Sequence, residues 1–143
     1  MNDKFVVFDL DGTIADDTHR KKFLLRSPKK WDEYFDACHL DKPIHHIIHL
    51  VKMYKNDGYK VHIWTGRKSS KRSQTLKWLS KYGLENIPLV MRPEGNRIDD
   101  FVLKQQWMKK YGKPSIVFED RDRMVKMWRS IHIPCMQVRD GNF

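Results

Sequence analysis

Apolar residues fall along this chain in two rhythms. Phe5–Phe8 is an unbroken apolar run that stops at Asp9-Leu10-Asp11-Gly12-Thr13, the profile of a strand buried on both faces of a parallel sheet. Further strands are predicted at 59–64, 87–91, 115–118 and 135–138. Between them the apolar positions follow a helical period. Ile44, Ile47, Ile48 and Val51 lie on one face of a helix opening at Pro43 and closing at Gly58. Helices over 70–82 and 99–111 are expected to stop at Gly83 and Gly112, and another covers 121–131. Two short helices interrupt the first strand–helix unit: His19–Leu25, behind the capping side chains Asp16, Asp17 and Thr18, and Lys29–Cys38, behind Ser27-Pro28. Strands alternating with helices imply a Rossmann-like three-layer α/β sandwich with a five-stranded parallel sheet and a small helical cap insertion after strand one. The insertion covers about 16–42, and 1–143 form a single domain without repeats or linkers.

Composition narrows the class. With 40% hydrophobic and 32% charged residues the chain suits a soluble globular domain. No apolar run approaches a membrane span, and Met1–Lys4 lead directly into the first strand, so neither membrane nor signal peptide is expected. The net charge of +10 and pI near 9.7 suit a polyanionic partner or substrate, although a generically basic protein would show them too. The two cysteines, Cys38 and Cys135, form no CxxC pair, which favours reduced thiols and a cytoplasmic setting.

Polar residues gather where the predicted strands end. The first gives Asp9, Asp11 and Thr13, the second Thr65, Gly66 and Arg67, the third Arg92, and the fourth Glu119 and Asp120. Lys104 lies about one turn into the helix after strand three, with Asp100 a turn before it. Open α/β sheets bind ligands at the carboxyl ends of their strands, where these residues converge. Helix capping explains any one of Asp11, Thr65 or Asp120, but not their joint occurrence. Asp9 and Asp11 point the same way in extended geometry, and like charges so close resist joint ionisation unless a cation or shared proton intervenes.

Phe8-Asp9-Leu10-Asp11-Gly12-Thr13 resembles the first motif of the haloacid dehalogenase (HAD) phosphatase superfamily, with Thr65, Lys104 and Glu119-Asp120 as its second to fourth motifs. A closer resemblance is to the phosphatase domain of phage-type polynucleotide kinase-phosphatases. It rests on Trp64-Thr65-Gly66-Arg67, Leu89-Val90-Met91-Arg92, Asp99-Asp100 with Lys104, Glu119-Asp120-Arg121, and the segments ending at Arg129 and Phe143. It covers nearly all of the chain except the insertion. No GxxxxGK[ST] occurs, so 5′-phosphorylation is not expected from this chain.

The resemblance implies roles. Asp9 is the nucleophile that forms an aspartyl-phosphate, and Asp11 is the general acid and then base. Mg²⁺ is the implied cofactor, held by Asp9, the Asp11 carbonyl and Asp120, with Glu119 acting through water. Thr65 and Lys104 neutralise phosphate oxygens, Lys104 also holds Asp9, and Asp100 orients Lys104. Arg67 and Arg92, with Thr13 and Gly66, bind substrate, and Arg20 is either a third phosphate-binding arginine or a structural one. Two departures stand out: Glu119 occupies a position often filled by Asp, and His132 one commonly filled by glycine, a change expected to affect only the turn.

Outside these motifs, residues 67–81 carry six cations and no acid, either a path for a nucleic-acid backbone or a solvated helix face. Trp31 and Tyr34 could stack on a base, or pack the insertion's helices together. His45 and His49 are one helical turn apart without a third ligand and belong on a wet helix face, while Trp78, Trp107 and Trp128 belong to the core. The expected function is Mg²⁺-dependent removal of 3′-phosphate from DNA or RNA ends, beside a separate kinase or ligase. The rivals are a small-molecule phosphatase such as a 5′-nucleotidase and an inactive nucleic-acid-binding module.

Overall fold

A computed structural model describes residues 4–143 of the chain. The short lead-in at residues 1–3 lies outside the described residues. The central sheet holds five parallel strands: β1 (Phe5–Phe8), β4 (Lys60–Lys68), β5 (Leu89–Arg92), β6 (Ile116–Glu119) and β7 (Cys135–Gln137). Their order is β5-β4-β1-β6-β7, so β1 is central and pairs with β4 on one side and β6 on the other. The chain moves outward from β1 to β4 and β5, then crosses back to β6. That reversal opens a crevice at the carboxyl end of β1.

The unbroken apolar run of β1 is explained by what covers it. Val6 and Phe8 pack with Val61, Ile63 and Leu89 beneath helices α2 (His45–Asn56) and α3 (Arg72–Lys81). Phe5 and Val7 face the other way, against Leu103 and Trp107 of α4 (Asp100–Tyr111) and Val125 and Trp128 of α5 (Asp122–Ser130). Both faces are dry, as in other all-parallel sheets. Trp78, Trp107 and Trp128 are buried, and His45, His46 and His49 lie exposed on α2.

The insertion differs in detail from its expected two helices. It leaves and rejoins the body through a two-stranded antiparallel ribbon, β2 (Ala15–Asp16) and β3 (Lys42–Pro43). Thr18–Phe23 is a 3-10 helix rather than an α-helix. Asp16 bonds the Thr18 amide and hydroxyl, a local turn that competes with a longer helix. The second helix is shorter too, α1 (Trp31–Asp36), and Ser27 does not cap it. The Lys30 amide bonds instead to the Phe23 carbonyl, closing the intervening residues into a loop. Pro43 belongs to β3, so α2 starts two residues later. Leu24, Tyr34 and Phe35 form a small core of their own, with Trp31 and Phe143 packed against it. Tyr34 and Trp31 thus hold the insertion together.

Strand β4 runs beyond its expected end, through Thr65, Gly66 and Arg67 to Lys68. It stays paired to β5 across a register shift between Thr65 and Lys68. His132 follows α5 with φ of +62°, the left-handed geometry that favours glycine.

Candidate active site

Side-chain parity along β1 settles where Asp9 points. It shares the face of Phe5 and Val7, the side covered by α4 and α5. On that side Lys104, at the second turn of α4, donates to Asp9 Oδ1 at 2.9 Å and to Glu119 Oε2 at 3.0 Å. Trp128 Nε1 also donates to Glu119 Oε2, at 3.2 Å. Asp9 is fixed from its backbone as well, its amide bonding the Phe118 carbonyl of β6. Asp9, Glu119 and Asp120 each offer an oxygen, and these oxygens lie within 4.8 Å of one another.

Three buried carboxylates against the Lys104 ammonium and the Arg139 guanidinium, which Asp17 shares, leave excess negative charge. Burial pushes the Asp9 carboxyl up, with Asp11 adding to the shift and Lys104 opposing it. Burial and the neighbouring Asp9 push up Glu119 and Asp120 as well. Lys104 moves the other way from what burial alone would do: Asp9 and Glu119 outweigh the loss of water and hold it firmly protonated. Glu119 Oε1 is buried without a partner. An all-oxygen donor set with surplus charge and one unsatisfied oxygen fits a hard divalent cation such as Mg²⁺.

Asp11 is kept in a separate electrostatic environment. Arg20 Nη2 and Arg67 Nη2 both donate to its Oδ1 at 2.5 Å, and Thr65 Oγ1 lies 3.3 Å from Oδ2. Burial works to raise its carboxyl, but Arg67 and Arg20 outweigh that and hold it far below the ordinary range. The two aspartates that share a direction in an extended strand therefore end with different partners, because the chain turns at Leu10. The amides of Thr13, Ile14 and Ala15 all bond to the Leu10 carbonyl. Gly12 makes this turn possible with φ of +80°, and a Cβ there would run into the side chains of Asp120 and Arg139.

Several residues expected to bind substrate are placed elsewhere. Arg92 is held back by Gly66, Asn96 and Ile98 carbonyls and by Asp100. It ties down the loop before α4 and does not line the pocket over Asp9. Asp100 pairs with Arg92 and, at 3.5 Å, with Arg121. It makes no hydrogen bond to Lys104 and reaches it only through its field. Its carboxylate lies over Gly66, where a Cβ would strike it. Thr13 is wholly buried with its hydroxyl unpartnered, and does not line the pocket. Arg20 is equally buried; it ties Asp11 to the insertion through Asp41.

Three supporting residues had no sequence signal of their own. Asp41 binds Arg20 through both carboxylate oxygens and His19 at 2.7 Å. Asp17 accepts from the Tyr34 hydroxyl and from Arg139. Arg139 also reaches Asp120 at 3.1 Å, so the segment after β7 braces a member of the acidic cluster. Each acid sits in the insertion among capping-type residues, and only the folded chain shows it to be buried.

A pocket of about 40 Å³ opens onto Asp9, Asp11, Arg67, Lys104 and Asp120, walled by Trp31, Phe35 and Phe143. Beside it runs a groove of about 720 Å³ between α1 and the loop before α4.

A family model described as "Polynucleotide kinase PNKP phosphatase domain" matches residues 3–143. The chain is 32% identical over 143 residues to a protein of Autographa californica nuclear polyhedrosis virus, provisionally named a bifunctional polynucleotide kinase/RNA ligase. The match covers 94% of this chain and 19% of that protein. A chain of the Pnkp1/Rnl/Hen1 RNA repair complex superposes with a TM-score of 0.81 at 27% identity, over 96% of this chain and 43% of that one. A class C acid phosphatase from Bacillus anthracis, determined with tungstate bound, shares the fold with a TM-score of 0.68 at 13% identity, over 98% of this chain and 68% of that one. The chain thus spans about a fifth of the viral relative and under half of the RNA repair protein.

Proposed function

Because the chain belongs to the phosphatase-domain family of polynucleotide kinase-phosphatases, we propose that it removes terminal 3′-phosphate from DNA or RNA ends through an aspartyl-phosphate. The observation that carries this reading is the division of labour between two neighbouring aspartates. Asp9 sits with Lys104 in the acidic cluster, while Asp11 is held by two arginines outside it.

An Asp9 oxygen attacks phosphorus as the bond to the 3′-oxygen breaks, and Asp11 supplies the proton that the departing oxygen takes. Asp11 is ionised while Arg20 and Arg67 hold it. Phosphate oxygens draw Arg67, which lines the pocket, towards the substrate and so raise the Asp11 carboxyl towards a protonated state. In the second step Asp11 takes a proton from water, the water oxygen attacks phosphorus, and Asp9 is released with inorganic phosphate. Lys104 holds the Asp9 carboxylate in place and balances charge near phosphorus. Asp9, Asp120, Glu119 and the Asp11 carbonyl are the residues that would hold Mg²⁺. That ion, when bound, screens the repulsion between the attacking carboxylate and the phosphate.

The viral relative's name couples polynucleotide kinase with RNA ligase, and the structural relative belongs to a complex named for RNA repair. We propose the same setting here, with the domain preparing ends beside a kinase or ligase module. No described helix is long and apolar enough to cross a membrane.

Turnover of a 3′-phosphorylated oligonucleotide, a 3′-mononucleotide and a 5′-mononucleotide, each with and without Mg²⁺, tests the assignment. Asp9→Asn should abolish turnover and leave the circular dichroism spectrum intact. Near-wild-type activity in that variant, or a strong preference for the 5′-mononucleotide, would overturn it.

A further inference from the structure

We infer that the groove between α1 and the loop before α4 seats the polynucleotide strand behind its terminal phosphate. This rests on the phosphatase reading above and adds where the rest of the substrate lies. The pocket over Asp9 and Lys104 is small, at about 40 Å³. The groove, at about 720 Å³, falls within the roughly 300–1,000 Å³ typical of ligand clefts. The two are continuous, sharing Trp31, Phe35, Gly66 and Arg121 as common walls.

The chemistry of the groove suits a phosphodiester backbone. Lys29, Lys30 and Arg97 line it with exposed side chains and make no ion pair among the described residues. Its acids are largely neutralised already: Asp32 by Lys68, Asp99 by Arg123, and Asp100 by Arg92 and Arg121. Only Glu33 remains without a partner among the described residues. Partial burial, with the facing charges of Arg121 and Arg123 adding to it, pushes the Lys29 ammonium down. Flat apolar surfaces are interleaved with these charges. Trp31 is half-buried with Arg121 5.4 Å from its ring, and Arg123 lies 5.3 Å from the ring of Phe101. Alternating cations and aromatic faces are how single strands are held without sequence preference.

Most of the basic stretch 67–81, for which a nucleic-acid path and a solvated helix face were both open, lies away from the groove. Of residues 67–81, only Arg67 and Lys68 line the pocket or the groove. Lys77 and Lys81 are exposed on α3, which covers the opposite face of the sheet from α4.

The test uses the full chain and a labelled single-stranded oligonucleotide ending in a 3′-hydroxyl, with binding followed by anisotropy against salt. Lys29→Glu/Lys30→Glu/Arg97→Glu should make the slope of log K against log salt shallower by about 2, at about 0.7 per lost phosphate contact. The same variant should lower the ratio of kcat/KM for a 3′-phosphorylated oligonucleotide to that for p-nitrophenyl phosphate by about tenfold or more. Lys77→Glu/Lys81→Glu should leave the slope and the ratio as in the wild type. An unaltered slope in the groove variant, or an equal loss in the α3 variant, overturns the groove assignment. Groove-dependent binding without hydrolysis of the 3′-phosphate would instead refute the phosphatase reading and leave the groove standing. Hydrolysis that is indifferent to the groove variant would do the reverse.

Discussion

Asp41→Asn tests whether Arg20, the residue that joins the insertion to Asp11, is itself locked by a buried ion pair. Asp41 receives Arg20 Nε at 2.8 Å, Arg20 Nη2 at 2.5 Å and His19 Nε2 at 2.7 Å. Arg20 is fully buried and Asp41 nearly so, at 5% exposure. The amide of asparagine keeps one acceptor but turns an N–H group towards a guanidinium that can only donate. Removing one partner of a buried pair costs about 3–5 kcal/mol, chiefly because the remaining charge stays out of water. Arg20 keeps Asp11 and the Tyr34 carbonyl as partners, and burial already pushes the Asp41 carboxyl up against the pull of Arg20. The lower end, about 3 kcal/mol, is therefore expected. With about 2.1 cal/mol/K of unfolding entropy per residue, a chain of this length has about 0.3 kcal/mol/K. Tm should fall by about 10 °C. Urea unfolding should show the same loss through its midpoint with an unchanged m-value. A double-mutant cycle with Arg20→Met should return a coupling of at least about 1 kcal/mol. A fall in Tm of less than about 3 °C would refute the buried lock.

Two further variants probe the frame around the site. The His62 ring is pushed down to about 4 by burial and, secondarily, by Lys60, and its Nδ1 accepts from Trp64 Nε1 at 3.1 Å. As pH falls from about 6.5 towards 4, the unfolded chain binds a proton that the folded ring refuses, so stability should drop across that window. Allowing for partial solvent access, the drop is about 1–2 kcal/mol. It should be shallower in His62→Phe, and identical Tm-against-pH slopes for the two proteins would disprove it. His132→Gly should relieve the left-handed strain at φ +62° and stabilise by about 0.5–1 kcal/mol once the greater freedom of glycine in the unfolded chain is counted. That corresponds to a rise in Tm of about 2–3 °C by calorimetry, and a lower Tm would show the histidine to be engaged in the turn.

The architecture and the gathering of the candidate acids and Lys104 at one place were legible in the sequence because each depends on local pattern. A run such as Phe5–Phe8 is apolar throughout only if both sheet faces are covered, and β1 is covered on both. Polar residues at successive strand ends converge because parallel strands share one direction, and this brings Asp9, Lys104, Glu119 and Asp120 together. Residue type and spacing carry no record of which partner a long side chain finally meets. The arginines show this best. Arg20, Arg67 and Arg92 are alike in sequence, yet two clamp Asp11 while the third ties down a loop through carbonyls of Gly66, Asn96 and Ile98. Asp17, which reads as a helix cap, and Asp41, which carries no signal in the sequence, become buried anchors only when the insertion folds back on its ribbon. The groove likewise belongs to no one segment, since α1 and the loop before α4 meet only in three dimensions. Hydrophobic period and strand direction act over neighbouring residues and are written in order along the chain. Charge pairing acts between side chains brought together from distant positions, and only the tertiary structure decides it.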